Sequence, residues 1–409
     1  MAGSTLTLAW RNLWRNRRRT ILALVAIGLS QALVLVYDGV LRGYTDWMVD
    51  VITGPMLGHA QVHAEGWRKT RALDRSFPIE APLRAVRALP GIERAHARIY
   101  GPALGAVGEE GFALVVVGID PAAEQGGHGL LSGATGLAPS GKRVLIGRPF
   151  AEANGLAVGA ELAIVGQGAD GSLANDLYVV AGIVPTPVDL VNRMGVLMAL
   201  DEAQGLLAMP GEAHEIVLRG HDVKRATALA AAAAALPELR GLEVLDWTRL
   251  SPDLHQVIEI LGVAWTFILL LVFVAAAAGV ANTMLMSTFE RMHELGMLHA
   301  LGATPGRLIR IIVVEALALG LVGVLAGSAL GGLLVALTHE RGVNLAQLTG
   351  GGPSELSFMG IVWSLTFHPA LTAVDFATSI LGVAVVSLLA ALWPAARVAR
   401  LQPTAALRA

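Results

Sequence analysis

The sequence predicts an α-helical integral membrane protein with four transmembrane helices and a large α+β extracytoplasmic domain between helices 1 and 2. Three observations predict it. The 409 residues are 54% hydrophobic and only 15% charged, where soluble domains carry roughly 25% charged residues. Four charge-free runs are long enough to cross a ~30 Å hydrocarbon core as helices. Between the first two runs, residues 54–253 have an ordinary soluble composition, with strand-like and helical segments in turn.

The first run, Thr20 to about Tyr37, is closed by Arg19 and Asp38, and the second, Ile260–Phe289, lies between Glu259 and Glu290. The third is Ala316–Thr338, and the fourth, Phe376–Ala396, lies between Asp375 and Arg397. Leu356–Val374 also lacks charge, but His368-Pro369 interrupts it and only Asp375 separates it from the fourth run. One residue cannot join two antiparallel spans, so this stretch reads as an outer-surface segment or a short re-entrant piece. Ser30-Gln31-Ala32 offers a signal-peptide cleavage pattern, yet the apolar run continues through Val36, which favours an uncleaved anchor.

Arginine placement orients the chain. Arg11, Arg15, Arg17, Arg18 and Arg19 precede the first run, Arg291, Arg307 and Arg310 lie between the second and third, and Arg397, Arg400 and Arg408 end the chain. Both termini and the middle loop are therefore expected in the cytoplasm. The division that follows is 1–19, a cytoplasmic amphipathic helix; 20–53, the first span and a stalk; 54–253, the outer domain; and 254–289, a stalk and the second span. After these come 290–310, a cytoplasmic loop; 311–338, the third span; 339–375, an outer loop; 376–396, the fourth span; and 397–409, a cytoplasmic tail.

In the first segment Leu6, Trp10, Leu13 and Trp14 share one helical face and Arg11, Arg15 and Arg18 another, the pattern of a helix lying in the inner leaflet. Helical spacing continues past the first span in Tyr37, Val40, Leu41, Tyr44 and Met48, with a charge ladder at Asp38, Arg42, Asp46 and Asp50. That helix is expected to end near Gly54-Pro55. The second run has 30 residues, roughly 45 Å as a helix, so its outer end either pairs with the first helix as a stalk or the helix tilts. Gly320, Gly323, Gly327 and Gly331 give the third span a small-residue face for close helix packing. Their spacing fits a moving or dimerising interface and packing within one bundle equally well.

In the outer domain, extended segments are expected at 59–63, 112–118, 143–147, 161–165, 177–184, 195–200, 215–219 and 242–247. Helices are expected at 82–89 and 222–236, and a composition shift near Gly136–Gly141 suggests two lobes.

Catalytic and metal chemistry is not evident. Gly136–Lys142 nearly matches a phosphate loop, but Arg143 stands where a Ser or Thr must hold Mg²⁺, and an extended run follows where a helix should begin. His59 and His63 are four apart, but on a strand that places them ~13 Å apart. With no cysteine and a net charge of −2, thiolate chemistry, disulfides and a global field for nucleic acid are excluded. Glu315 is expected at the cytoplasmic start of the third span.

One loop is specific. Glu290-Arg291-Met292-His293-Glu294-Leu295-Gly296, followed by Leu298, Ala300, Leu301, Gly302 and Ala303, forms a short charged surface helix with a glycine break. It resembles the cytoplasmic loop of the MacB/FtsX superfamily of ABC transporter permeases, departing from it at His299, where those proteins usually carry Arg or Lys. The start Leu8-Ala9-Trp10-Arg11-Asn12-Leu13, the pair Glu315-Ala316 and the tail Pro394-Ala395-Ala396-Arg397 resemble the same family. Gly118-Ile119-Asp120-Pro121 and Asp201-Glu202-Ala203-Gln204 resemble its LolC/LolE-like branch.

The resemblance implies a bacterial inner-membrane permease that is not itself an enzyme. Glu290, Arg291, Glu294, Leu295, Gly296, Leu298, Gly302 and Ala303 would form a coupling helix docked on a separate ATPase dimer. ATP and Mg²⁺ would be bound there, leaving this chain without a cofactor. A second permease copy, identical or paralogous, membrane lipid, and a lipoprotein or periplasmic partner complete the expected assembly, without nucleic acid. Three functions are compatible: extraction of lipoproteins or other lipidated molecules, export with a periplasmic adaptor, and FtsX-like signalling to a periplasmic partner.

Overall fold

The computed structural model describes residues 17–125, 128–132, 134, 137–185, 188–290, 292–344, 347, 355–358, 361–364 and 366–399. The amphipathic face read over residues 6–15 and the tail from Arg400 onward lie outside the described residues. The helices used below are α1 (Arg17–Ile52), α2 (Glu80–Arg87), α3 (Ala226–Ala234), α4 (Pro252–Glu290), α5 (Met292–Ala300), α6 (Pro305–Arg341) and α7 (Ala373–Ala399). The strands are β1 (Ala60–Ala64), β2 (Ile92–Val107), β3 (Glu110–Ile119), β4 (Arg143–Gly147), β5 (Glu161–Gln167), β6 (Leu173–Val184), β7 (Gly195–Ala199), β8 (Glu215–Gly220) and β9 (Leu242–Asp246). The chain divides into a helical unit (Met1–Trp47, Val257–Leu345, Thr366–Ala409) and an inserted unit (Met48–Gln256, Ala346–Leu365).

Among the described residues, α1, α4, α6 and α7 are the four helices long and apolar enough to cross a bilayer. The first three have 36, 39 and 37 residues, roughly 54–58 Å each at ~1.5 Å per residue. α1 stays helical to Ile52 and closes on a π turn, Thr53–Leu57, at the expected Gly54-Pro55. Among its described residues up to Thr372, the charge-free stretch before the fourth span forms no helix. Its described part contains a hairpin, Glu355–Phe358 with Ile361–Ser364, and a short strand at Thr366–Phe367. α6 begins at Pro305, inside the segment read as loop, because Thr304-Pro305 supplies an N-cap position and a proline in the first turn. The helix therefore begins well before Glu315, which is 6% exposed and engaged with other groups.

Ala23, Ile27, Val280, Met284, Ala316, Leu319, Val324, Val383 and Ala391 form the core of the helical unit. The outward face of α4 stays apolar, with Phe267, Leu271 and Val274 each more than half exposed, as expected of a helix bathed in lipid. The glycine face of α6 packs inside the chain. A Cβ at Gly327 would stand 2.3 Å from the Gly28 carbonyl oxygen and 2.7 Å from Gln31 Cβ. One at Gly331 would meet Ala32 at 3.0 Å, and one at Gly323 would meet Ile27 at 2.8 Å. α1 thus occupies the space these glycines leave. Beside them Gln31, fully buried, donates from Nε2 to Ser328 Oγ (3.1 Å) and Ser379 Oγ (3.0 Å), tying α1 to α6 and α7. α7 opens on a capping box, in which the Asp375 carboxylate accepts from the Thr372 amide (2.7 Å) and hydroxyl (2.8 Å) and also pairs with Arg42.

The inserted unit is built on one nine-stranded mixed sheet in the order β9-β1-β8-β2-β3-β7-β4-β6-β5, and β5 also pairs with β2. Six strands, β2-β3-β7-β4-β6-β5, therefore close into a ring, and β8, β1 and β9 extend from it beyond β2. α2 and α3 cover this extension, burying Val86, Ala230 and Ala233 in the shared core. β2 is the strand both halves share. Its start pairs with β8 (Arg98↔Glu215) and its end with β5 (Leu104↔Val165). The change of lobe accordingly falls on β2. Gly136 lies outside the described residues, and Gly141 turns with φ +53° into β4, within the ring half.

Candidate functional site

The core of the Glu290–Ala303 motif folds as α5. Gly302, at φ +93°, closes it. The Gly302 amide donates to the His299 carbonyl (3.0 Å) and the Ala303 amide to the Leu298 carbonyl (2.9 Å), a Schellman ending that needs a left-handed residue at this position. The turn then feeds directly into α6.

Burial sorts the motif residues into two faces. Leu295 (3% exposed) and Gly296 point inward, and Leu295 packs with Leu308, Ile312 and Ala395, against which Ala303 also rests. Leu295 and Ala303 thus lie against the residues that join α5 to α6 and α7. Leu298 (42%) and Leu301 (84%) are exposed with Met297 (46%), forming an apolar patch at i, i+1 and i+4. Glu290 is exposed and Glu294 half-buried, both already engaged with other groups, while Arg291 lies outside the described residues. Gly302 is exposed and sets the turn. Met297 was not singled out from the sequence, and Leu301 was noted only as part of the motif. The signal for Met297 was available as a large apolar side chain within a charged loop.

A second cluster lies in the inserted unit, where the segment following α1 meets the sheet. Arg98, 1% exposed, grips Glu124 with two bonds, Nε to Oε1 (2.6 Å) and Nη2 to Oε2 (3.0 Å). Its remaining donors reach the carbonyls of Pro55 (2.8 Å) and Met56 (3.0 Å) in the π turn. A guanidinium is the one side chain whose fork can pair with a carboxylate and cap two carbonyls together. Glu124 also accepts from the Leu130 amide (2.8 Å). Burial works against its carboxylate, but Arg98 and then His96 hold its pKa well below the ordinary range. Glu215 accepts from Tyr100 Oη (2.7 Å) and lies near Arg98 and His63. Its pKa too is lowered despite burial, chiefly by His63 and Arg98.

The remaining sequence candidates resolve into structural roles. Lys142, in the near-match to a phosphate loop, is committed to Asp176 and to Glu202 (2.8 Å). His59 Nδ1 accepts from the Gly220 amide (3.1 Å), and His63 faces Gln61 (3.0 Å).

Residues 266–403 match the family model described as FtsX-like permease C-terminal, a stretch that takes in most of α4, all of α5 and α6, and α7. That stretch is an FtsX-like permease domain, and LolC proteins are among the relatives of the chain. It is 25% identical over 236 residues to the lipoprotein-releasing system transmembrane protein LolC of Xylella fastidiosa, covering 56% of this chain and 55% of that one. It is 24% identical over 281 residues to LolC of Neisseria meningitidis, covering 66% of each. The chain thus spans about half the length of the first of these relatives. The periplasmic region of MacB from Actinobacillus actinomycetemcomitans superposes with a TM-score of 0.37 and 12% identity, over 52% of this chain and 97% of that one.

Proposed function

We propose that the chain is the permease subunit of an ABC transporter in the bacterial inner membrane, with both termini cytoplasmic. A separate ATPase dimer docks on α5, and its ATP-driven closure moves the inserted domain on the outer side. The substrate is a lipoprotein or another lipidated envelope molecule, extracted from the inner membrane by this chain and a second permease copy. The observation that carries the reading is α5. Its inner face is locked to α6 and α7 through Leu295, while its outer face presents Met297, Leu298 and Leu301. A push on that face reaches the helices because the contact behind it is tightly packed.

α4 runs without interruption from Glu290 to Pro252, and α1 continues into the π turn that Arg98 grips. The arginines flanking the spans support the orientation, and the LolC relatives support the substrate class. The test is ATP-dependent release. The chain, purified with its ATPase in nanodiscs loaded with an acyl-labelled lipoprotein, should let the label go with ATP and keep it with a non-hydrolysable analogue. ATP turnover with the lipoprotein fully retained would replace extraction by export or signalling.

A further inference from the structure

The inserted unit holds a cavity of about 290 Å³ that the reading above does not use. It opens where the π turn after α1, the short helix Trp67–Thr70 and strands β2 and β3 meet. Met56, Leu57, Trp67, Pro102, Val115 and Leu190 give it apolar walls. Ligand pockets commonly span ~300–1,000 Å³, with mostly apolar linings and a few convergent polar groups. This one lies at the small end, a size suited to a single short chain.

Its polar edge is cationic. Arg71 Cζ sits 4.3 Å from the centroid of the Trp67 ring, and its backbone is held at φ +50°, a conformation L residues adopt at a cost. Arg68 donates from Nη2 to the Leu250 carbonyl (2.7 Å), which fixes its guanidinium at the same edge and leaves Nη1 and Nε as further donors. The carboxylate in the wall, Glu215, is held by Tyr100, His63 and Arg98, and together with Glu243 it offsets only part of what burial and Arg71 do to Arg68. Burial, followed by the like charge of Arg71, lowers the pKa of Arg68, a stress that an anion between the two guanidiniums would relieve. Guanidinium forks match carboxylates in geometry.

We propose that this cavity binds a single-chain anionic amphiphile, a medium-chain carboxylate whose tail lies against Met56, Val115 and Leu190 and whose head sits between Arg68 and Arg71. The inference rests on the cavity and not on the lipoprotein reading. It bears on motion all the same, because the Met56 carbonyl in the wall is also held by Arg98 (3.0 Å) and Gln61 (3.0 Å). A bound tail therefore contacts the segment through which α1 joins the sheet.

The test uses the full chain in lipid nanodiscs with a decanoate analogue carrying a photoreactive diazirine near its chain end, followed by mapping of labelled peptides. Saturable labelling is expected at Met56-Leu57 or Leu190. Decanoate should compete and an equal concentration of decanol should not. Arg68→Gln/Arg71→Gln should weaken the saturable labelling about tenfold, the scale of a charge-assisted hydrogen-bond pair. Leu190→Trp, which crowds the mouth and leaves both arginines intact, should also reduce it, so the result does not hang on the folding of one variant. Labelling confined to the membrane-spanning helices would overturn the proposal. Equal competition by decanol, or unchanged labelling in both variants, would do so as well.

Discussion

Arg98→Met removes the guanidinium and leaves a side chain of comparable length. Glu124, 0% exposed, then keeps its charge with only His96 (3.0 Å) and the Leu130 amide beside it. The Pro55 carbonyl loses its donor, while Met56 retains Gln61. Breaking a buried ion pair from one side costs about 3–5 kcal/mol, because the remaining charge is stranded. Set against a domain stability of about 5–15 kcal/mol, this leaves the inserted unit marginal. Replacing both partners by apolar side chains of similar volume is often neutral, so Arg98→Met/Glu124→Met should recover most of the loss. Urea pulse proteolysis of the full chain in nanodiscs reads both variants. Fluorescence gives a second readout, since Trp67 is 1% exposed and stacks on His214 with centroids 5.4 Å apart. A cost below about 1 kcal/mol for the single variant, or a double variant no more stable than the single, would refute the clamp as the joint between the π turn and the sheet.

Gly327→Val should separate α1 from α6 and lower the thermal stability of the helical unit, because its Cβ would fall 2.3 Å from the Gly28 carbonyl oxygen. Gly262→Ala, with nothing within 4 Å of its Cβ, is the neutral control, and equal melting of the two variants would refute the packing role. Gln31→Leu removes two interhelical hydrogen bonds and should cost about 0.6–2 kcal/mol per bond in SDS unfolding; unchanged unfolding would count against it. Burial, with the nearby Arg219 charge, pulls the pKa of His59 from 6.5 to about 4. Its folded value lies below the unfolded one, so its contribution is intact above pH 6.5, fades as pH falls toward 4, and levels off below. His59→Asn should flatten the stability profile in that window, and an unchanged slope there would exclude this assignment.

The spans were legible because charge marks their ends. Arg19, Asp38, Glu259, Glu290 and Asp375 each border an apolar run, and the helices cover all four runs. The glycine face was legible from its period, but its partner was not, since Ile27, Gly28 and Gln31 are about 300 residues away and spacing alone cannot name them. Gln31 looked like an ordinary polar interruption within the first run. β2 was missed because Glu93, Arg94, His96 and Arg98 mask its alternation, and its core face is built from Ala95, Ala97 and Ile99. The same masking hid the Arg98–Glu124–Pro55 joint, whose members come together only in the fold. In α5 the motif located the helix, yet a nine-residue helix with a weak periodic pattern did not reveal that Leu295 faces inward and Leu301 outward.

The central claim is that an ATPase docks on the outer face of α5. It is tested most directly by purifying the full chain in nanodiscs from its native membrane, as wild type and as Leu298→Ser/Leu301→Ser, and identifying retained proteins by mass spectrometry. Both side chains point away from the Leu295–Leu308–Ile312 core, so the variant should fold and still be recovered from the membrane. The account predicts a co-purifying ATPase with the wild type and its loss from the variant. Equal retention of the ATPase by both, or no ATPase with either, would contradict it.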